Sequence, residues 1–292
     1  MNVYDIRDIE EQPIIRFTST FDELDWAYGR DGEYGIPSGM ISLWAGQSGV
    51  GKTRLLVQMM KQMDALGKSS LIFQGETSPA QFKSEKMSGY TPVSNIWLSP
   101  SVGIDEQIDI IADLKPRIVI TDSVQQIEEY RGGRGAKEVV RKLRSVIEVT
   151  GTHVFLISQL TKDKSPKGGT ELPHEVDTVC NLMRDTGGLD HMFIFNVEKN
   201  RFGPGSRYIY FTHRNWGVEC ETQFRLNDPA WDESSKRNFF DSRKIGEFFD
   251  PRNIVIKMNK DGKVKDLTNE TMDMNPPKKK ETWSERWLGL KF

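Results

Sequence analysis

One segment constrains this chain more than any other: Gly46-Gln47-Ser48-Gly49-Val50-Gly51-Lys52-Thr53, followed by Arg54. It satisfies the pattern G-x-x-x-x-G-K-[ST] at every position. Glycines there let backbone N–H groups turn inward around phosphate oxygens. The lysine ammonium reaches the β and γ phosphates, and the threonine hydroxyl is a ligand for Mg2+. The pattern is short, and its flanks give it weight. Met40-Ile41-Ser42-Leu43-Trp44-Ala45 before it reads as a buried strand. After it, Leu55, Leu56, Met59, Met60, Met63 and Leu66 recur at helical spacing until Gly67 ends the run. A strand that enters a glycine loop and then a helix N-terminus presents unpaired N–H groups to an anion. The expected ligands are ATP and Mg2+, with Gly46 to Arg54 on the nucleotide and Thr53 on the metal.

The rest of the pattern indicates what surrounds that loop. From Phe21 to about Trp216, short apolar strands alternate with helical stretches. Strands are expected at 70–73, 117–121 and 154–157, and helices at 104–114 and 136–149. A late hairpin is expected from 192–197 and 208–211 around Gly203-Pro204-Gly205. Such alternation predicts an α/β fold, with a mostly parallel central sheet flanked by helices. Residues 1–20 read as an N-terminal arm, 21–220 as the ATPase core and 221–292 as a charged extension. That extension holds 15 Lys+Arg and 13 Asp+Glu, and Asn275-Pro276-Pro277-Lys278-Lys279-Lys280 reads as a linker. Beyond it, Trp283 and Trp287 share one face of a helix, the pattern of a docking peptide or of a segment folded back on the core.

Two carboxylates stand where P-loop chemistry needs them. Asp122 ends the apolar strand Ile118-Val119-Ile120, the position from which an acid orders Mg2+. Glu76 follows the next strand in Gln74-Gly75-Glu76-Thr77-Ser78, where a carboxylate polarises the attacking water. Capping of the following helix is the alternative role for each. Composition removes other classes. No run of 18 apolar residues occurs, so no membrane partner is expected. The start of the chain lacks the basic and apolar regions of a signal peptide. Cys180 and Cys220 make neither a disulfide framework nor, with His153, His174, His191 and His213, a zinc spacing. A cytoplasmic, nucleoid-associated protein is the expectation. With 40 Lys+Arg against 42 Asp+Glu, a polyanion has to be held by a local basic patch.

Four segments together resemble the RecA-like ATPases, and within them the RadA/Sms DNA repair family. They are Phe21-Asp22-Glu23-Leu24-Asp25 with Gly35-Ile36-Pro37-Ser38-Gly39, the stretch Gln74 to Ser78, Ile120-Thr121-Asp122-Ser123-Val124-Gln125, and Lys199-Asn200-Arg201-Phe202-Gly203-Pro204. The last, KNRFG, is the most specific. The chain departs from that family in having neither its four-cysteine zinc finger nor its Lon-like domain. Ile157-Ser158-Gln159-Leu160 looks more like the equivalent strand of DnaB-type helicases.

The resemblance implies an oligomer, ring or filament, with ATP at subunit interfaces. It makes Glu76 and Lys52 catalytic, Gln159 a γ-phosphate sensor, and Lys199 and Arg201 cations acting on a neighbour's ATP. It also places DNA contacts on two basic glycine-containing loops, through Arg131 and Arg134 and through Lys162, Lys164 and Lys167. The implied function is an ATP-dependent motor on single-stranded or branched DNA in recombination, repair or replication. A replication or recombination protein would dock on the tail. The competing class is an ATP-controlled assembly or adaptor protein with little DNA binding. A small-molecule P-loop kinase fits less well, given KNRFG and no evident lid.

Overall fold

The computed structural model describes residues 13–30, 33–133, 135–160, 171–184, 192–215 and 217–220, with four two-residue strands between 249 and 265. The expected arm at 1–12, the expected DNA contacts Arg134, Lys162, Lys164 and Lys167, and the tail residues Trp283 and Trp287 lie outside the described residues.

The chain begins with β1 (Arg16–Phe17), α1 (Asp22–Tyr28) and β2 (Ile36–Pro37). Then come β3 (Ile41–Gly46), α2 (Lys52–Ala65), β4 (Ser70–Gln74), α3 (Pro79–Lys86), β5 (Ile96–Ser99), α4 (Ile104–Leu114) and β6 (Ile118–Asp122). Two short 3-10 turns lead to α5 (Ala136–Thr150), β7 (His153–Gln159), α6 (Glu171–Glu175), β8 (Thr178–Arg184), β9 (Met192–Asn200), β10 (Arg207–Arg214) and β11 (Gly217–Cys220). One nine-stranded sheet runs β11-β10-β9-β8-β3-β7-β6-β4-β5. The six strands from β8 to β5 are parallel, and β9 to β11 extend the sheet antiparallel.

Alternation along the strands divides the core between two faces. Trp44 packs with Leu55, Leu56, Met59 and Met60 of α2, while Ile41 and Leu43 pack with Val140, Leu143 and Ile147 of α5. Trp44 is too polar to be buried unpaired, and its indole Nε1–H donates to the Tyr28 hydroxyl at 2.7 Å. His153 is likewise buried. It bonds the Pro37 carbonyl at 2.7 Å and the Ser42 hydroxyl at 2.9 Å, and burial pushes its pKa down to about 4. The imidazole is therefore a neutral core group at pH 7.

Residues 13–20, read from sequence as part of an arm, are built into the fold. Arg16 pairs with Pro37 across β1 and β2, and its guanidinium donates to the carbonyls of Tyr28, Gly35 and Phe202. Asp25 accepts from the Ser19 N–H and the Thr18 hydroxyl, both at 2.6 Å. These bonds close only in the folded chain, and the local sequence of 13–20 carries no sign of them.

Candidate nucleotide site

The parallel strands deliver their carboxyl ends to one edge. In register, Gly46 of β3 lies opposite Gln159 of β7, Ile157 of β7 opposite Asp122 of β6, and Asp122 opposite Gln74 of β4. That edge is where open α/β sheets bind ligands. A cleft of about 220 Å³ opens there, lined among others by Lys52, Thr53, Glu76, Asp122 and Gln159.

The phosphate loop needs its glycines for two separate reasons. Gly49 and Gly51 have φ of +73° and +110°, in the left-handed region. Gly46 is extended, but a Cβ there would fall 2.5 Å from the Leu182 carbonyl oxygen of β8. Lys52 is the first residue of α2. Its Nζ donates to the carbonyls of Gly46 at 2.6 Å and Gln47 at 2.8 Å, so the ammonium is folded back against the loop. Burial depresses its pKa to about 8, against the pull of Asp122. The Thr53 hydroxyl donates to Asp122 Oδ2 at 2.5 Å. Asp122 itself is raised, first by burial and then by the charge of Glu76, with the Thr53 bond and Lys52 opposing. The arrangement holds two oxygen ligands side by side and loads the site with negative charge that a divalent cation would relieve. Among the described residues there is no group of three or more His, Cys, Asp or Glu suited to a metal by itself.

The capping alternative for Glu76 is met by another residue. Ser78 caps α3, accepting from the Gln81 N–H at 3.2 Å with Pro79 at the first turn, and Glu76 is left at the cleft. Asp122 spends its carboxylate on Thr53. Glu76 is steadied instead by Gln126, whose Nε2 donates to Oε1 at 3.3 Å. Gln125 donates to Ser158 at 2.8 Å, which ties the segment after β6 to the strand that ends in Gln159. Gln126 was not singled out from sequence. The amide next to Gln125 has no local signature, since its partner is 50 residues away.

Lys199 and Arg201 are at the other end of the sheet. Asn200 pairs with Thr178 and Phe195 with Leu182, which faces Gly46. From Leu182 to Thr178 is about 13 Å at ~3.3 Å per residue. Lys199 Nζ donates to the carbonyls of Pro173, His174 and Val176, closing the C-terminal end of α6. Arg201 reaches Asp177 at 3.3 Å, and Arg144 reaches the same carboxylate at 2.8 Å. Asp177 is buried and also accepts from the Ile41 N–H. No local pattern in the sequence marks this buried hub, because its partners come from β3, α5 and the KNRFG turn. Arg201 is half exposed despite the contact. Arg54 extends the other way, donating to the carbonyls of Arg214 and Asn215. Arg131 lies in the 3-10 turn Glu128–Gly133.

No protein-family model matches the chain. Among curated proteins it is similar to a DNA repair protein RadA of Aquifex aeolicus, 30% identical over 223 residues, or 74% of this chain and 49% of that protein. RadA of Mycobacterium tuberculosis is 30% identical over 206 residues, covering 68% of this chain and 42% of that protein. RadA of Pseudomonas aeruginosa is 28% identical over 217 residues, covering 72% and 46%. The chain spans about half the length of the curated relatives it matches.

Proposed function

We propose that this chain, which belongs with the RadA-type RecA-like DNA repair proteins, is a Mg2+-dependent ATPase that couples nucleotide turnover to DNA. One observation carries the proposal. A buried lysine, a threonine hydroxyl bonded to an aspartate, and a second carboxylate 46 residues earlier in the chain than that aspartate converge on one cleft at a glycine loop.

The residues divide the chemistry between them. Lys52 leaves the Gly46 and Gln47 carbonyls for the phosphates, where its charge offsets the growing charge on the leaving group. Thr53 and Asp122 would hold Mg2+, which neutralises phosphate charge when bound. Glu76, oriented by Gln126, accepts a proton from water beside the terminal phosphate. Gln159 adjoins the cleft at the end of β7. Its amide both donates and accepts, so it can report the γ-phosphate to the residues that follow.

Lys199 and Arg201 cannot reach their own subunit's loop from the far end of the sheet. They act on a neighbour's ATP in a head-to-tail oligomer, ring or filament. DNA is held by the basic loops that contain Arg131 and Arg134 and Lys162, Lys164 and Lys167, with single-stranded or branched DNA as the substrate.

Two variants test the ATPase. Lys52→Ala is expected to lose nucleotide affinity and turnover together. Glu76→Gln should keep ATP affinity within a few-fold while turnover drops about 100- to 10,000-fold. Normal turnover by Glu76→Gln would remove that residue from the reaction.

A further inference from the structure

The proposed mechanism leaves Arg184, beside the phosphate loop, without a task. β8 runs next to β3, with Leu182 opposite Gly46. Side chains alternate across a strand, and Cys180 and Leu182 pack in the core on the α2 side. Arg184 is the next residue on that face and is exposed. Its guanidinium rests on the loop itself: a Cβ built at Gly49 would lie 3.3 Å from Arg184 Nη2. No hydrogen bond or ion pair holds this guanidinium among the described residues. Of the cations nearby, Arg54 donates to two carbonyls, and Lys86, on the side of the acids, lies 4.0 Å from Glu85. A planar fork of donors, positioned and unengaged against an anion-binding loop, matches phosphate oxygens.

We propose that Arg184 binds the phosphate chain of the nucleotide held by its own subunit, as a cation acting in cis. This rests on the nucleotide reading above. Its side of the loop fixes which phosphates it meets. The sheet order is β8-β3-β7-β6-β4, so Arg184 stands on one side of β3 and the acids Asp122 and Glu76 on the other. The reacting end of the triphosphate belongs with the acids. Arg184 therefore serves the inner phosphates, which ADP shares with ATP.

The test is displacement of a fluorescent adenine nucleotide by ADP and by ATP, using the full chain, Arg184→Ala and Arg184→Lys, with Lys52→Ala as reference. Arg184→Ala is expected to weaken ADP and ATP by a similar factor, about 10- to 100-fold. Arg184→Lys should lie between it and the wild type. The unfolding midpoint without nucleotide should not move, because the side chain is exposed and makes no hydrogen bond or ion pair among the described residues. Unchanged ADP affinity in Arg184→Ala, beside a clear Lys52→Ala defect, would overturn the inference and leave the nucleotide site intact. Weakening confined to ATP would overturn the assignment to the inner phosphates. A wild-type chain that binds neither nucleotide would overturn the site and the inference together.

Discussion

Lys52 illustrates how one side chain is set by opposing terms. Burial disfavours its ammonium, while two loop carbonyls and Asp122 favour it, and the balance falls at about 8. The folded pKa lies below the usual lysine value of 10.5, so between about pH 8 and 10.5 the unfolded chain carries more protons than the fold. The stability contribution of this group therefore rises with pH across that window. Binding has the opposite sign, because phosphate needs the charged form. ATP affinity is expected to fall as pH climbs through about 8, with proton uptake on binding. Calorimetry in two buffers of different ionisation enthalpy measures that uptake. A Lys52→Arg protein should lose the pH dependence over the same range, since a guanidinium stays charged.

At the scale of elements, the KNRFG hairpin and the N-terminal segment form one unit. Gly203 sits so close to α1 that a Cβ would lie 2.3 Å from the Gly29 carbonyl oxygen. Arg16 donates to the Phe202 carbonyl at 2.7 Å, Asn200 donates to that of Tyr28 at 3.2 Å, and Arg207 stacks on Trp26 at 4.2 Å. Two of the motifs that define the family resemblance, the lead-in from Phe21 and the KNRFG turn, are thus in contact. Gly203→Ala is expected to destabilise the protein by about 1–3 kcal/mol through overpacking. Chemical denaturation checks this, and an unchanged midpoint would mean that the tip is free to move off α1.

The same elements show what was legible in the sequence. β3, α2, β6, α5 and β7 were readable because each has a strong local period or a stop signal, such as Gly151 after α5. Asp122 is readable because it ends β6, and Glu76 because it follows the end of β4 by two residues. β8 was not singled out. Its alternation is interrupted by Asn181, and its identity depends on pairing with β3. Asp177 and Arg184, at its two ends, were missed for that reason. The 13–20 segment reads as an arm because its bonds, to Asp25, Tyr28, Gly35 and Phe202, leave no periodic pattern in the segment itself.

On the scale of the whole molecule, the sheet separates two kinds of chemistry. The carboxyl edge carries the loop, both acids and Gln159, while the opposite edge carries Lys199, Arg201 and the Asp177 hub. A single subunit cannot bring these edges together, whereas head-to-tail neighbours can. Mixing Lys52→Ala with Arg201→Ala subunits is therefore expected to restore part of the hydrolysis that each lacks alone, because some mixed interfaces contain an intact loop and an intact arginine. Absence of recovery in verified mixed oligomers would assign Arg201 to the support of Asp177 within its own chain.

The central claim is that ATP turnover here is coupled to DNA. Its most direct test is the steady-state rate of Mg2+-dependent ATP hydrolysis with and without single-stranded DNA, at a fixed low salt concentration. The account predicts a Lys52-dependent rate that rises several-fold with DNA, with the stimulation fading as salt increases. A Lys52-dependent rate that is the same with and without DNA would contradict it, and would favour a nucleotide-controlled assembly protein instead.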